Sequence, residues 1–349
     1  MMHGHVPGQT ISFVGHAALL LAALGLSGAA AAQQGAPLAG VNLAGGEFNS
    51  GRKPGIYAKD YIYPDARIAA PFIAMGMKIV RVPLLWERLQ PSAAQPLSAS
   101  EIARLDKVIA GLKGFEIIIL DIHNYGKRNG QRLDQIADGD AQFADLWRRL
   151  AERYRDDPRI AFGLMNEPNG MAPAQWRRIV DAGVAAIRKA RARNLLLVPG
   201  SNWTGAHSWA AGGARSNAAT FRNFRDPGSN YAFEMHQYLD PDSSGMKMQC
   251  EEAPVIRQRM AAATNWLRAN KHKGFLGEFG APPDARCLAS LDALLDHMKQ
   301  NADVWMGWTY WAGGGWWGPN YPLSVQPIKG AARPQAGILA KYSSQGARK

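Results

Sequence analysis

The sequence predicts a (β/α)8 barrel, the TIM-barrel form of the α/β class. Three observations carry this. Eight short apolar or β-branched runs recur along the chain, most of them nearly continuous in hydrophobicity, as strands covered on both faces must be. Amphipathic stretches of helical spacing fall between most of the runs, and strand–helix alternation implies parallel βα units. Eight such units in about 300 residues fit a barrel of ordinary size. An open doubly wound sheet is the competing arrangement, but no glycine-rich phosphate loop supports it.

The 349-residue chain is 47% hydrophobic and 19% charged, enough for one large core or two small ones. Its first segment has a different pattern. An apolar run from Ala17 to Leu26 is followed by small residues from Ser27 to Ala32. That is the body and Ala-x-Ala ending of a secretory signal peptide, expected to span residues 1–32. Its n-region lacks Lys and Arg, and the apolar run is too short to span a membrane comfortably. The mature protein is therefore expected to be secreted (extracellular or periplasmic), with no membrane contact. A single domain is expected over residues 35–342, with 343–349 a frayed tail.

Within that domain the expected strands are Gly40–Leu43, Lys78–Val82, Phe115–Asp121, Ile160–Met165, Leu195–Val198, Tyr231–Met235, Gly274–Gly277 and Trp305–Thr309. The expected helices are Ser98–Leu112, which opens on the capping-box pattern "SASE", then Asp140–Arg153, Pro173–Arg191, Glu252–Ala269 and Ser290–Gln300. Between the fifth and sixth strands the stretch "NWTGAHSWAAGGARSNAATF" is glycine-rich, so its helix must be short.

The two cysteines are Cys250 and Cys287. In an oxidising compartment they favour one disulfide, worth about 4 kcal/mol in the chain-entropy model, over two buried thiols. Their spacing is too sparse for a zinc site. The net charge of +12 is spread over helical stretches such as Arg148, Arg149, Arg153, Arg155 and Arg188, Lys189, Arg191, Arg193. Solvated helix faces explain this pattern, so no nucleic-acid partner is expected. Eleven Trp exceed what core packing needs, and indoles kept in a groove suit stacking on sugar faces.

The residues after each apolar run are polar or aromatic. They are Gly46-Glu47, Arg81 with Trp86-Glu87, His123-Asn124-Tyr125, Asn166-Glu167, Ser201-Asn202-Trp203, His236 with Tyr238, Glu278, and Trp311. In a barrel these ends converge on one face, where active sites form. Glu167 and Glu278 would then meet, and paired carboxylates are the apparatus of glycoside hydrolysis. Arg81 and the Tyr238 hydroxyl would hold Glu278 as an anion. A setting poorer in positive charge would raise the proton affinity of Glu167 and suit it as the acid. Asn166 can hydrogen-bond a sugar 2-hydroxyl. Glu47 and Glu87 read as ion-pair partners and His207 as a structural imidazole. His123, His236, Glu167 and Glu278 could ligate a metal, but no HExxH or close His pair is present, so no metal or cofactor is expected.

Taken together, Arg81, His123, Asn166-Glu167, His236, Tyr238, Glu278 and Trp311, in this order, resemble glycoside hydrolase family 5. The strings "GVNLAGGEF", "RVPLLWERLQP", "LDIHNY", "MNEPNGM", "WTGAHSW", "FEMHQYLD" and "GWTYWAGGGWWG" are similar to its endo-β-1,4-glucanase (cellulase) subfamily and cover the chain from about Gly40 to about Gly318. The resemblance implies a retaining barrel enzyme with Glu167 as general acid/base and Glu278 as nucleophile. It further implies that Arg81 and Tyr238 contact the nucleophile, that His123, Asn124 and Asn166 bind sugar, and that His236 sits beside the acid/base. Trp311 would stack on the sugar at the −1 subsite, Trp203 on the leaving-group side, and Trp316 and Trp317 would extend the cleft. A monomer acting on β-glucan polysaccharide or oligosaccharide is expected, on soluble or amorphous chains because no cellulose-binding module is seen. "PDSSGMKMQC" and "GPNYPLSVQP" depart from the family pattern and touch subsite detail. The alternatives are a β-mannanase or mixed-linkage β-glucanase, a non-catalytic glycan-binding barrel and, from charge alone, a nucleic-acid binder.

Overall fold

Parallel strands wind in chain order around a nearly closed barrel: β1 (Gly40–Leu43), β2 (Ile79–Leu84), β3 (Ile117–Ile122), β4 (Ile160–Gly163), β5 (Leu195–Pro199), β6 (Tyr231–His236), β7 (Gly274–Glu278), β8 (Trp305–Trp308) and β9 (Tyr310–Gly313). The last two are halves of the eighth wall position, parted only by Thr309. β8 pairs with β7 and β9 with β1, and a bridge from Leu38 to Gly307 helps close the seam. The computed structural model describes residues 1–5, 8 and 35–344. The expected signal-peptide core and its cleavage region lie outside these residues. Among the described residues no helix is long and apolar enough to cross a membrane.

A helix follows each wall position: α1 (Ala66–Ala74), α2 (Ala99–Gly111), α3 (Gly139–Tyr154), α4 (Pro173–Lys189), α5 (Asn217–Phe221), α6 (Ala253–Ala269), α7 (Ala285–Gln300) and α8 (Gln335–Ser343). α5 is the short helix expected from the glycine-rich connection. α7 starts five residues before the expected Ser290, because the Asp284 side chain accepts from the backbone N–H groups of Arg286 and Cys287. The "SASE" box forms only by half. Ser98 caps Glu101 N, but the Glu101 carboxylate is taken by the hydroxyls of Tyr61 and Tyr63. α1 and α8 escaped the periodicity reading, and α1 carries Pro71 inside it. α8 runs through Ser343, whose buried hydroxyl donates to Met75 O at 2.6 Å, so the ordered fold extends past the expected limit at 342. Cys250 and Cys287 stand at bonding distance, S–S 1.99 Å, and tie the loop after β6 to α7.

Candidate active site

The barrel interior is built in layers because successive side chains on a strand point to opposite faces. Ile79, Ile119, Ala161, Leu197, Ala232 and Phe275, one from each of β2 to β7, form a buried apolar floor. Two residues further along the same strands stand Arg81, Asp121, Gly163, Pro199, Glu234 and Gly277. Arg81, Asp121 and Glu234 are fully buried. Arg81 is the hub of this second layer. Its Nη1 donates to Asn42 Oδ1 at 2.9 Å and to Glu278 Oε1 at 2.8 Å, and its Nη2 donates to Asn166 Oδ1 at 2.8 Å. Close ion contacts, off hydrogen-bond alignment, run to Asp121 at 3.1 Å and Glu234 at 3.0 Å. Burial alone would weaken the guanidinium's hold on its proton, but Asp121, Glu234 and Glu278 more than reverse this and keep it charged.

Glu278 reaches this hub through a bulge. Met235 pairs with Leu276 but His236 pairs with Glu278, so Gly277 is an extra residue in β7. A bulge re-aims the next side chain, and Glu278 turns inward where strict alternation would send it outward. Asn42 Nδ2 braces the bend by donating to Gly277 O at 2.9 Å and Thr309 O at 3.1 Å. The second oxygen of Glu278 accepts from the Tyr238 hydroxyl at 2.8 Å. Burial, then Glu278 and Glu167, push the Tyr238 phenol far up, so it stays a donor.

Glu167 lies beyond the end of β4, in a loop before Pro168. Its φ of 42° is in the left-handed region that side chains rarely adopt. Asn166 just before it is anchored by its N–H to Ile122 O at 2.7 Å. Glu167 Oε1 is 2.8 Å from His236 Nδ1, which is 3.7 Å from Glu278 Oε2. Donor atoms of Glu167, His236 and Glu278 all lie within 4.8 Å of one another. Burial alone would push His236 down, but Glu278, Glu167 and Glu234 raise it to about 10. The expected charge-poor setting for Glu167 is therefore corrected: its side chain faces the His236 ring, which the three glutamates favour in its protonated form.

Around this pair the sequence-derived residues divide. His123 Nδ1 is 2.8 Å from Asp121 Oδ2, and its Nε2 is 3.1 Å from Asn166 Nδ2 and 3.3 Å from the Tyr125 hydroxyl. The Trp311 ring stacks on His123 at 5.5 Å, its backbone N–H donates to Phe279 O at 2.8 Å, and the peptide that joins it to Ala312 is cis. Trp317 stacks on Tyr321 at 4.1 Å and meets Trp311 edge-on at 6.1 Å. Trp203, 56% exposed, is held by its N–H to Pro168 O and shares a cleft of about 560 Å³ with Glu167, Asn202, His207, Ser208, Asp242 and Ser244.

Four expectations need correction. Asn124 does not present its amide to a ligand: Oδ1 accepts from Trp86 N and Nδ2 donates to Glu87, both at 2.8 Å. Trp316 diverges from Trp317 and lines a separate depression with Ile62, Pro64 and Ile68. His207 stands in the cleft wall instead of a core. Glu47 caps Gly45 N and pairs with no cation among the described residues, whereas Glu87 does pair with Lys53. The residues missed at the sequence level are Asn42, Asp121, Glu234 and Tyr321. The first three had a signal, a polar side chain set inside an apolar run.

Residues 31–314 match the family model described as Cellulase (glycosyl hydrolase family 5). A probable endo-beta-1,4-glucanase B of Neosartorya fischeri is 35% identical over 323 residues, covering 91% of this chain and 95% of that protein. An endo-beta-1,4-glucanase structure from Xanthomonas axonopodis pv. citri superposes with TM-score 0.87 at 44% identity, over 89% of this chain and 100% of that one. XacCel5A, solved in complex with cellopentaose, superposes with TM-score 0.86 at 46% identity, over 88% and 99% of the two chains. A buried Arg81 hub, two glutamates brought together from the ends of β4 and β7, and a family match spanning most of the barrel agree, and the chain belongs to glycoside hydrolase family 5.

Proposed function

We propose that the protein is a retaining endo-β-1,4-glucanase that hydrolyses internal bonds of β-glucan chains. The observation that carries this reading is the closeness of Glu167 and Glu278, which offer oxygens within 4.8 Å of each other. Retaining enzymes hold their carboxyl groups about 5–5.5 Å apart, whereas inverting ones leave about 6.5–9.5 Å for a water.

Glu278, fixed by Arg81 and Tyr238, attacks the anomeric carbon. Glu167 gives its proton to the departing glycosidic oxygen. In the second step Glu167 takes a proton from water, and the new hydroxyl displaces Glu278 from the sugar. His123 and Asn166 bind the sugar next to the cleaved bond. Trp311 supports its face, and Trp317 continues that aromatic surface. Trp203 stacks the unit on the leaving-group side. Export before action belongs to the same reading, supported by the N-terminal pattern, and Cys250–Cys287 is the bond such a compartment would keep.

The glucanase names of the relatives support the choice of β-1,4-glucan. Comparing rates on carboxymethylcellulose, galactomannan and barley mixed-linkage glucan tests it. Carboxymethylcellulose and cello-oligosaccharides should be cut with a rapid fall in chain length. Faster cleavage of galactomannan would make the protein a mannanase, and binding without turnover of any of the three would make it a glycan-binding barrel.

A further inference from the structure

Beneath the two catalytic glutamates lies a third carboxylate that the reaction scheme does not use. Glu234 sits on β6 two residues before His236 and is fully buried, so it cannot reach a sugar. Its Oε1 is 3.0 Å from Arg81 Nε and 3.5 Å from His236 Nε2. Its space is secured from the neighbouring strand: a Cβ on Gly277 would collide with the Glu234 carboxylate. Gly277 is also the extra residue of the bulge that turns Glu278 inward. One glycine therefore serves both the bend and the buried acid.

The ring of His236 is thus bracketed. Nδ1 faces Glu167 at 2.8 Å and Glu278 at 3.7 Å, and Nε2 faces Glu234 at 3.5 Å. Carboxylate oxygens stand on both sides, and an ionised carboxylate only accepts. While these carboxylates are ionised, a ring with acceptors at both nitrogens is satisfied only when both carry protons. We propose that Glu234 is a positioning residue that holds His236 as a double donor between Glu167 and Glu278, and so sets the pH range over which the site works. The inference rests on the glucanase reading for its kinetic consequence, but not for its structural one.

The charges facing this ring come from every strand around it. Glu167 follows β4, Glu278 ends β7 and Glu234 lies on β6. Arg81 on β2 holds Glu234 and Glu278 together, Asp121 on β3 contacts Arg81 and pairs with His123 just beyond that strand, and the neutral Tyr238 hydroxyl sits on Glu278. Removing the negative charge of Glu234 takes away the carboxylate facing His236 Nε2 and one of the three around Arg81. Every proton on the His236–Glu167 pair is then held less tightly, so the alkaline limb of activity moves to lower pH.

The test uses kcat/KM against pH on a soluble cello-oligosaccharide, with 15N NMR of the His236 ring alongside. Glu234→Gln should move the alkaline limb down by about one pH unit, and Glu234→Asp, which keeps the charge, should lower the rate with the limb in its wild-type position. In the wild-type protein both His236 nitrogens should carry protons at neutral pH, a readout that needs no variant to fold. A Glu234→Gln enzyme with unmoved limbs, or a wild-type ring that is neutral at pH 7, overturns the inference. If the wild-type protein cleaves no glucan, the functional reading fails, and the NMR result alone still decides the role of Glu234.

Discussion

Two layers of the same barrel, two residues apart on the same strands, are held by opposite physics. The floor of Ile79, Ile119, Ala161, Leu197, Ala232 and Phe275 is dry and apolar, and any tight filling of that volume would serve. The layer above places Asp121, Glu234 and Glu278 around Arg81, all in ion contact with it. Buried charges contribute little net stability even when paired, and breaking such a pair is costly. The upper layer is therefore kept for what it positions, and the lower layer keeps the wall rigid enough for that positioning to hold. The difference separates two kinds of evidence: floor residues should answer in stability alone, and hub residues in stability, rate and pH dependence together.

The catalytic pair should give the largest effect. Glu278→Gln should abolish nearly all turnover, and Glu167→Gln should lower it by about 10²–10⁴-fold, each variant still binding cello-oligosaccharide by calorimetry. Near-wild-type hydrolysis by either would remove its assigned role. Next come Arg81→Met and Leu197→Ala, measured by denaturant unfolding. The first leaves buried carboxylates unpaired and should cost about 3–5 kcal/mol, with activity lost as well. The second opens a cavity and should cost about 2–5 kcal/mol, with the pH–activity profile unmoved. A shifted profile in Leu197→Ala would erase the distinction between the layers.

Unfolding measured against pH sharpens it further. Burial pushes Glu234 up, but Arg81 and His236 outweigh this and hold it below the usual carboxylate range. Its stabilisation is present above the unfolded value of about 4.3 and is lost as pH falls through the folded one. His236 is raised from 6.5 to about 10, so its stabilisation is complete below about 6.5 and disappears as pH rises toward 10. Stability should form a plateau with losses on both sides, and Leu197→Ala should lower that plateau without changing its edges. Trp203→Ala carries the smallest expected effect. A lost stacking face should weaken oligosaccharide binding by about 1 kcal/mol while turnover of an activated aryl cellobioside changes little.

Much of this contrast was legible in the residues. The wall strands announce themselves as apolar runs, and Glu167, His236, Tyr238 and Glu278 stand just where such runs end. What lay inside the runs was harder to see. Asn42, Asp121 and Glu234 interrupt "GVNL", "IIILDI" and "YAFEMH" by a single polar side chain, and a continuous apolar reading passes over them. Only the closed barrel shows that Asp121 and Glu234 face one guanidinium. Asn124 failed for the opposite reason. It sits at a strand end like its neighbours, but its amide turns to Trp86 N and Glu87, partners that a one-dimensional pattern does not reveal. The bulge at Gly277 is equally silent in sequence, because a glycine at a strand end has many ordinary uses.

The central claim is that Glu278 and Glu167 act on one bond from a separation suited to a covalent intermediate. Following the anomeric configuration of fresh products by 1H NMR, during hydrolysis of a cello-oligosaccharide, tests it most directly. The new reducing end should appear first as the β-anomer and relax later to the equilibrium mixture. An initial burst of α-anomer would contradict the account.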